Sequence, residues 1–115
     1  MVTKAEVNNF LREFKKIGGR GKRGITLVRR AKNSLAETGL TTLNFHNEIL
    51  SLTYKNYCRG PELDKDKNFA GKVWIFGKNI SHDEYYIKLK ITHDKTRVVC
   101  ISFHPAEYPI NYPLK

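Results

Sequence analysis

Val7, Phe10, Leu11, Phe14 and Ile17 recur at the three- and four-residue spacing of one helical face, and Thr3 with Glu6 has the form of a capping box ahead of them. The pattern predicts an amphipathic helix over residues 4–17, ended by Gly18 and Gly19. Its apolar stripe is expected to pack on the domain, because the opposite face mixes charge signs and lacks the uniformly basic dressing of a membrane-surface helix. Residues 31–38, closed by Gly39, read as a second helix with Leu35 and Ala36 inward. The preceding segment, Ile25 to Arg29, fits either a short strand or the start of that helix. Thr42 opens a third helix carrying Leu43, Ile49 and Leu50, and Thr53 caps a short turn bearing Tyr54 and Tyr57 that Gly60-Pro61 breaks. Residues 61–71 alternate charge signs with little apolar content and predict a loop.

Beyond that loop the period changes from 3.6 to 2. Lys72–Lys78 predicts a strand with Val73, Trp74, Ile75 and Phe76, and Asn79–Asp83 a turn. Glu84–Ile91 alternates, with Tyr85, Ile87, Leu89 and Ile91 on one face and Tyr86, Lys88 and Lys90 on the other. After a turn at His93-Asp94-Lys95, Arg97–His104 is expected to place Val99, Ile101 and Phe103 inward and Val98, Cys100, Ser102 and His104 outward. The whole reads as one α+β domain over residues 1–115, a small twisted antiparallel meander packed under N-terminal helices.

Charge changes this picture. With 21 Lys and Arg against 11 Asp and Glu, the 115-residue chain carries a formal +10. Its first 32 residues alone hold ten cations against Glu6 and Glu13, so a net +8 is concentrated there. Such a one-signed field is the footprint of a nucleic acid or an acidic protein partner. A hydrophobic content of 40% excludes a disordered basic tail. The glycine-rich run 18–24 interleaves Arg20, Lys22 and Arg23 and suits nonspecific phosphate contact. It lacks the ending and the preceding strand of a nucleotide-binding P-loop. No apolar window reaches the eighteen residues or so of a membrane span, and the first residues lack the apolar core of a secretory signal. A cytoplasmic protein with no membrane partner and with Cys58 and Cys100 reduced is expected, a single disulfide being the alternative.

Burial of Ile87 and Leu89 with Val99, Ile101 and Phe103 requires paired residue numbers of the last hairpin to sum to about 188 or 190. Tyr86 then faces Ser102 or His104, and Tyr86, Lys88, Lys90, Ser102 and His104 share one face of two adjacent strands. This could be an ordinary solvated sheet face. It also holds the parts that RNA cleavage needs, namely a group that moves protons and cations for a phosphate. An imidazole changes protonation near neutrality, and His104 is the only histidine expected on a strand. Tyr86 can position substrate or lend its hydroxyl. Arg59 and Lys88 are candidate phosphate clamps. Lys90, Ser102 and Lys55, with Arg20, Lys22 and Arg23, are the candidate RNA contacts. Glu62, Asp64 and Asp66 stand at alternate positions, but the interleaved Lys65 and Lys67 argue against a metal loop, and neither a metal nor another cofactor is expected.

Ser34-Leu-Ala-Glu-Thr-Gly-Leu40, Tyr57-Cys-Arg-Gly-Pro-Glu62, Val73-Trp-Ile-Phe76, Tyr85-Tyr-Ile-Lys-Leu89 and Ile101-Ser-Phe-His-Pro-Ala-Glu107 follow one another in an order that resembles the MqsR family of toxins, within the RelE-like group of small ribonucleases. The likeness covers about two-thirds of the chain. It implies a metal-independent messenger-RNA endonuclease of a type II toxin–antitoxin pair, with its cognate antitoxin and mRNA as partners and the ribosome as a further candidate. Tyr86 falls on the strand tyrosine of the family's active site, and Arg59 where better-known members have a functional lysine. His104 stands where they carry another lysine. After Trp74 the family pattern has a glutamine and this chain has Ile75. Glu62 either positions Arg59 or shapes the exit from a helix. The expected reaction is cleavage of single-stranded mRNA by 2′-hydroxyl attack. The alternative from another class is a nucleic-acid-binding regulator without catalysis, and the basic N-terminal third is also read as a docking surface for an acidic protein.

Overall fold

Thr3 caps the first helix from both sides. Its hydroxyl accepts from the Glu6 amide and its own amide donates to the Glu6 carboxylate, each at 3.2 Å. The helix so begun, α1 (Lys4–Gly18), buries Val7, Phe10, Leu11, Phe14 and Ile17, the stripe read from spacing. A computed structural model describes residues 2–21, 24–63 and 71–115. After α1 come β1 (Ile25–Leu27), α2 (Arg29–Thr38) and α3 (Thr42–Leu50). The open choice at Ile25 is thus a strand. Gly39, at φ 80°, ends α2, which turns Ala31 and Leu35 inward and leaves Ala36 exposed. Thr41, one residue ahead of the expected start, caps α3, and its hydroxyl accepts from the Asn44 amide at 3.0 Å. Phe45, His46 and Ile49 are the buried residues of α3, whereas Leu43 is exposed.

Thr53 caps a single 3-10 turn, Tyr54–Asn56, and the chain then extends as β2 (Tyr57–Leu63), where a break and a loop were expected. Gly60-Pro61 is compatible with a strand here because β2 is the outer strand of the sheet. A proline costs no ladder bond on an unpaired edge, and the pairing slips on either side of Arg59. The remainder of the predicted loop, residues 64–70, lies outside the described residues. β3 (Lys72–Ile80) and β4 (Asp83–Ile91) run longer than their patterns suggested, joined by Ser81-His82 alone, both at positive φ as a two-residue hairpin turn requires. β5 (Val98–Pro105) follows.

The fold is α+β: three helices and a five-stranded sheet of order β1-β5-β4-β3-β2. The sheet is mixed where a purely antiparallel meander was expected, since β1 pairs parallel to β5. Its inner face carries Phe76, Tyr85, Ile87, Leu89, Val98, Cys100 and Phe103 against α1, α3 and Leu35. Phe10 stacks on Trp74 at 4.6 Å between centroids, and Phe103 meets Phe45 edge-on at 4.9 Å. Each such side chain contributes about 1.5–3 kcal/mol by leaving water. Among the described residues no helix is long and apolar enough to cross a membrane.

One irregularity corrects the expected faces of β5. Tyr86 pairs with His104, Ile87 with Phe103 and Lys88 with Ser102, a sum of 190, but Leu89 pairs with Cys100 and Ile91 with Val98. Ile101 is the extra residue of a bulge, and it shifts the alternation by one. Val98 and Cys100 therefore enter the core, while Val99 stands opposite Lys90 on the outer face.

Two consequences are testable. Gly60 sits at φ 112°, and a Cβ there would lie 2.7 Å from the Val73 carbonyl oxygen. Gly60→Ala is expected to destabilise the protein by about 2 kcal/mol or more in denaturant titration, combining left-handed strain with a backbone clash. Asp94 accepts from the Thr92 hydroxyl at 2.7 Å and from the Thr96 hydroxyl at 2.8 Å. These bonds lower its carboxyl to about 2, below the ordinary 3.8. A depressed folded value means that its contribution is present above pH 3.8 and lost as pH falls towards 2. The Thr96 amide donates to Asp94 Oδ1 at 3.1 Å, so its protection relative to the intrinsic exchange rate should fall across that window, and Asp94→Ala should show the lowered protection already at neutral pH.

Candidate functional site

Strand pairing brings together three of the residues singled out in the sequence. Tyr86 on β4 and His104 on β5 are direct cross-strand partners, and their rings stack at 5.2 Å and 18°. Arg59 arrives from β2, two strands away from Tyr86. Its Nη2 donates to the Tyr86 hydroxyl at 3.3 Å, and its guanidinium lies 5.9 Å from the centre of that ring. Gly77, the β3 residue paired with Tyr86, has no side chain to stand between them.

Glu62 is not at the exit of a helix. It is a strand residue whose carboxylate accepts from Arg59 Nε at 3.3 Å, which leaves the guanidinium edge turned towards Tyr86. An ion pair this exposed adds little stability, so its effect is orientation. Ile75 is fully buried on the rung between Arg59 and Lys88 and brings no polar group to the site.

Protonation states follow from the surroundings. Burial raises the Tyr86 phenol above its ordinary value of 10, against the pull of the Arg59 guanidinium, so the hydroxyl keeps its hydrogen at neutral pH. His104 Nδ1 lies 2.8 Å from the Pro105 carbonyl oxygen, which can only accept. Nδ1 therefore carries the hydrogen of the neutral ring and Nε2 holds the lone pair, the arrangement of a base. Cys58, beside Arg59, has its thiol raised by burial and stays protonated, and both cysteines are free.

These groups line a cleft of about 430 Å³, and its second wall was not expected from the sequence. After β5 the chain doubles back: the Ala106 amide donates to the Glu84 carbonyl at 2.7 Å, and the Glu84 carboxylate then accepts from the Ile110 amide at 2.9 Å and the Tyr112 hydroxyl at 2.8 Å. Ile110 and Tyr112 occupy the space over Gly77, where a Cβ would come within 2.6 and 2.7 Å of them. Ala106, Tyr108, Pro109 and Ile110 thereby face Arg59, Tyr86 and His104 across the cleft. Prolines at 105, 109 and 113, which exclude helix, and tyrosines at 108 and 112 are the signal for an extended, packed tail.

Other sequence candidates fall elsewhere. Lys88 is on the same face, one rung along, paired with Ser102 and outside the lining of the cleft. Ser102 is 6% exposed, which removes it from the surface a polymer would meet. Lys90 borders a separate cleft with Phe10, Trp74 and Lys95. Lys55 is exposed on the 3-10 turn ahead of β2. Arg20 follows α1, whose Gly18 abuts Ile25 and Val98, at the end of β5 opposite His104 and about 20 Å from it. Lys22 and Arg23, like Asp64 and Asp66, lie outside the described residues. Among those described, no three His, Cys, Asp or Glu side chains are grouped to hold a metal ion. No protein-family model, curated protein or solved structure matches the chain.

The coupling of Arg59 to Tyr86 has a measurable sign. Removing the guanidinium in Arg59→Gln is expected to raise the phenol further, seen as a shift to higher pH of one phenolate transition near 295 nm. Tyr86→Phe, which deletes that transition, identifies it.

Proposed function

We propose that this chain is a metal-independent endoribonuclease of single-stranded mRNA, the toxin of a type II toxin–antitoxin pair, with a fold of the RelE and MqsR kind. The observation that carries the reading is the convergence of an arginine, a protonated tyrosine and a histidine with an available Nε2 beside one solvent-open cleft. In this reading His104 Nε2 removes the 2′-hydroxyl proton, and the 2′ oxygen attacks the adjacent phosphorus. The bond to the 5′ oxygen breaks, leaving a 2′,3′-cyclic phosphate and a 5′-hydroxyl end. The departing oxygen takes a proton from water or from the imidazolium just formed. Arg59 holds the charge that grows on the phosphoryl oxygens, and the Tyr86 hydroxyl, kept protonated, donates to one of them. The ordered resemblance of the sequence to MqsR toxins and the net charge of +10 support RNA as substrate.

The cognate partner on this reading is an antitoxin protein, and the basic first third of the chain is its docking surface. Lys88 lies close enough along β4 to contact a neighbouring phosphate. Lys55, Lys90 and Arg20 spread over separate parts of the molecule, where they serve general attraction of a polyanion.

Purified protein incubated with mixed RNA in EDTA is expected to generate cyclic-phosphate and 5′-hydroxyl ends. His104→Ala should lower the rate by about 100-fold or more, as loss of a proton-transfer group does. Arg59→Ala should cost about as much, as does loss of one charge-stabilising donor. RNA left intact by the parent protein overturns the proposal. If binding that weakens with salt persists in that case, the non-catalytic regulator takes its place.

A further inference from the structure

We propose that the tail after β5 makes the cleft a pocket for one unstacked nucleobase of the RNA, with Tyr108 as its stacking platform. The inference rests on the ribonuclease reading and names how the substrate is held. The two walls differ in chemistry. On the sheet side stand Arg59, Tyr86 and His104, suited to a phosphate and a reacting hydroxyl. On the tail side stand Ala106, Pro109 and Ile110, apolar, with Tyr108 at the rim and Glu107 as the charged member of the same wall. Tyr108 is 78% exposed, an aromatic ring that packing within the chain does not account for. An exposed ring beside an apolar slot and an arginine is what a base and its phosphate need together. The cleft, about 430 Å³, is of the size that holds a small organic ligand. Asn111, also in the lining, brings an amide able to read the hydrogen-bonding edge of a base.

The wall is built to hold its place. Glu84 receives two hydrogen bonds from the tail, one of them from the Tyr112 hydroxyl, and Ile110 and Tyr112 sit where Gly77 leaves room. Tyr112 thus acts as a positioning residue. It fixes the tail against the sheet, and Tyr108 and Asn111 lie within the same short stretch.

The test uses the full chain and short oligoribonucleotides of defined sequence. Tyr108→Ala, a change at an exposed position that leaves the core intact, is expected to lower kcat/KM about ten-fold or more, mostly through KM. Scanning a single abasic nucleotide across the cleavage site should reveal one position at which the parent loses a similar factor. At that position Tyr108→Ala should cost nothing further. Tyr112→Phe should reduce discrimination among the four bases there while leaving the protein as stable to denaturant within about 1 kcal/mol, the value of one hydrogen bond. Full activity in Tyr108→Ala, or additive losses from Tyr108→Ala and the abasic position, overturns the pocket. If the parent cleaves no RNA, the ribonuclease reading is what fails. The pocket is then decided by binding of an uncleavable 2′-deoxy oligonucleotide and of free mononucleotides, followed by protein fluorescence. Oligonucleotide binding that Tyr108→Ala weakens about ten-fold upholds it, and unchanged binding or mononucleotide binding alone overturns it.

Discussion

Backbone pairing between β4 and β5 holds Tyr86 opposite His104, and it can do so only because both strands keep their other face in the core. A slip by one residue would turn Ile87 and Phe103 to the outside and Tyr86 and His104 inward, at a cost of several buried side chains. The stacked pair of rings is thus fixed by the apolar residues behind it. The bulge at Ile101 confines that demand. It lets Val98 and Cys100 join the core at one end of the hairpin without disturbing the outward Tyr86 and His104 at the other.

The remaining parts of the site depend on this ladder in turn. β2 lies at the edge, where pairing is irregular, and Arg59 on it reaches the Tyr86 hydroxyl two strands away. Two carboxylates beside the cleft are engaged within the chain, while a third, Glu107, lies in its lining. Glu62 orients Arg59, and Glu84 holds the tail through an amide and a phenol. Each presents its charge to a donor within the chain, and Arg59 and Glu107 are the two charged side chains in the lining. Of the cations in the first third, Arg20 follows Gly18, which packs on Ile25 and Val98 at the other end of β5, whereas Lys4 lies over the Tyr54 ring and Lys15 donates to the Leu52 carbonyl.

Several elements were legible because their signals are local. The capping box at Thr3, the five-residue stripe of α1 and the glycine that ends α2 depend on residues within a turn or two of one another, and each stands where the pattern puts it. The alternation of Glu84–Ile91 is equally local, and the requirement that two strands share a core face carried it as far as Tyr86 opposite Ser102 or His104, of which the ladder selects His104. β2 was read as a broken turn and a loop because Gly60-Pro61 normally ends an element, and only its place at the sheet edge makes the pair tolerable. Strand β1 is too short to have a period, and it exists through pairing with β5, some seventy residues later. The inward and outward residues of β5 were misassigned because a bulge leaves no mark in composition.

What the sequence by itself determined is the set of helices, the three long strands, the asymmetry of charge and the sharing of one sheet face by Tyr86, Ser102 and His104. Each of these follows from periodicity, from capping or from a single pairing rule. Only the tertiary structure decided that Arg59 reaches Tyr86, that Glu62 serves as its orienting partner, that Lys90 and Arg20 stand apart, and that the tail through Tyr108 and Tyr112 walls the cleft. Apart from the i, i+3 pair of Glu62 with Arg59, those relations join residues 25 or more positions apart or turn on where a bulge and a glycine leave room. They are set by the order of strands and the space between them, which no local pattern records.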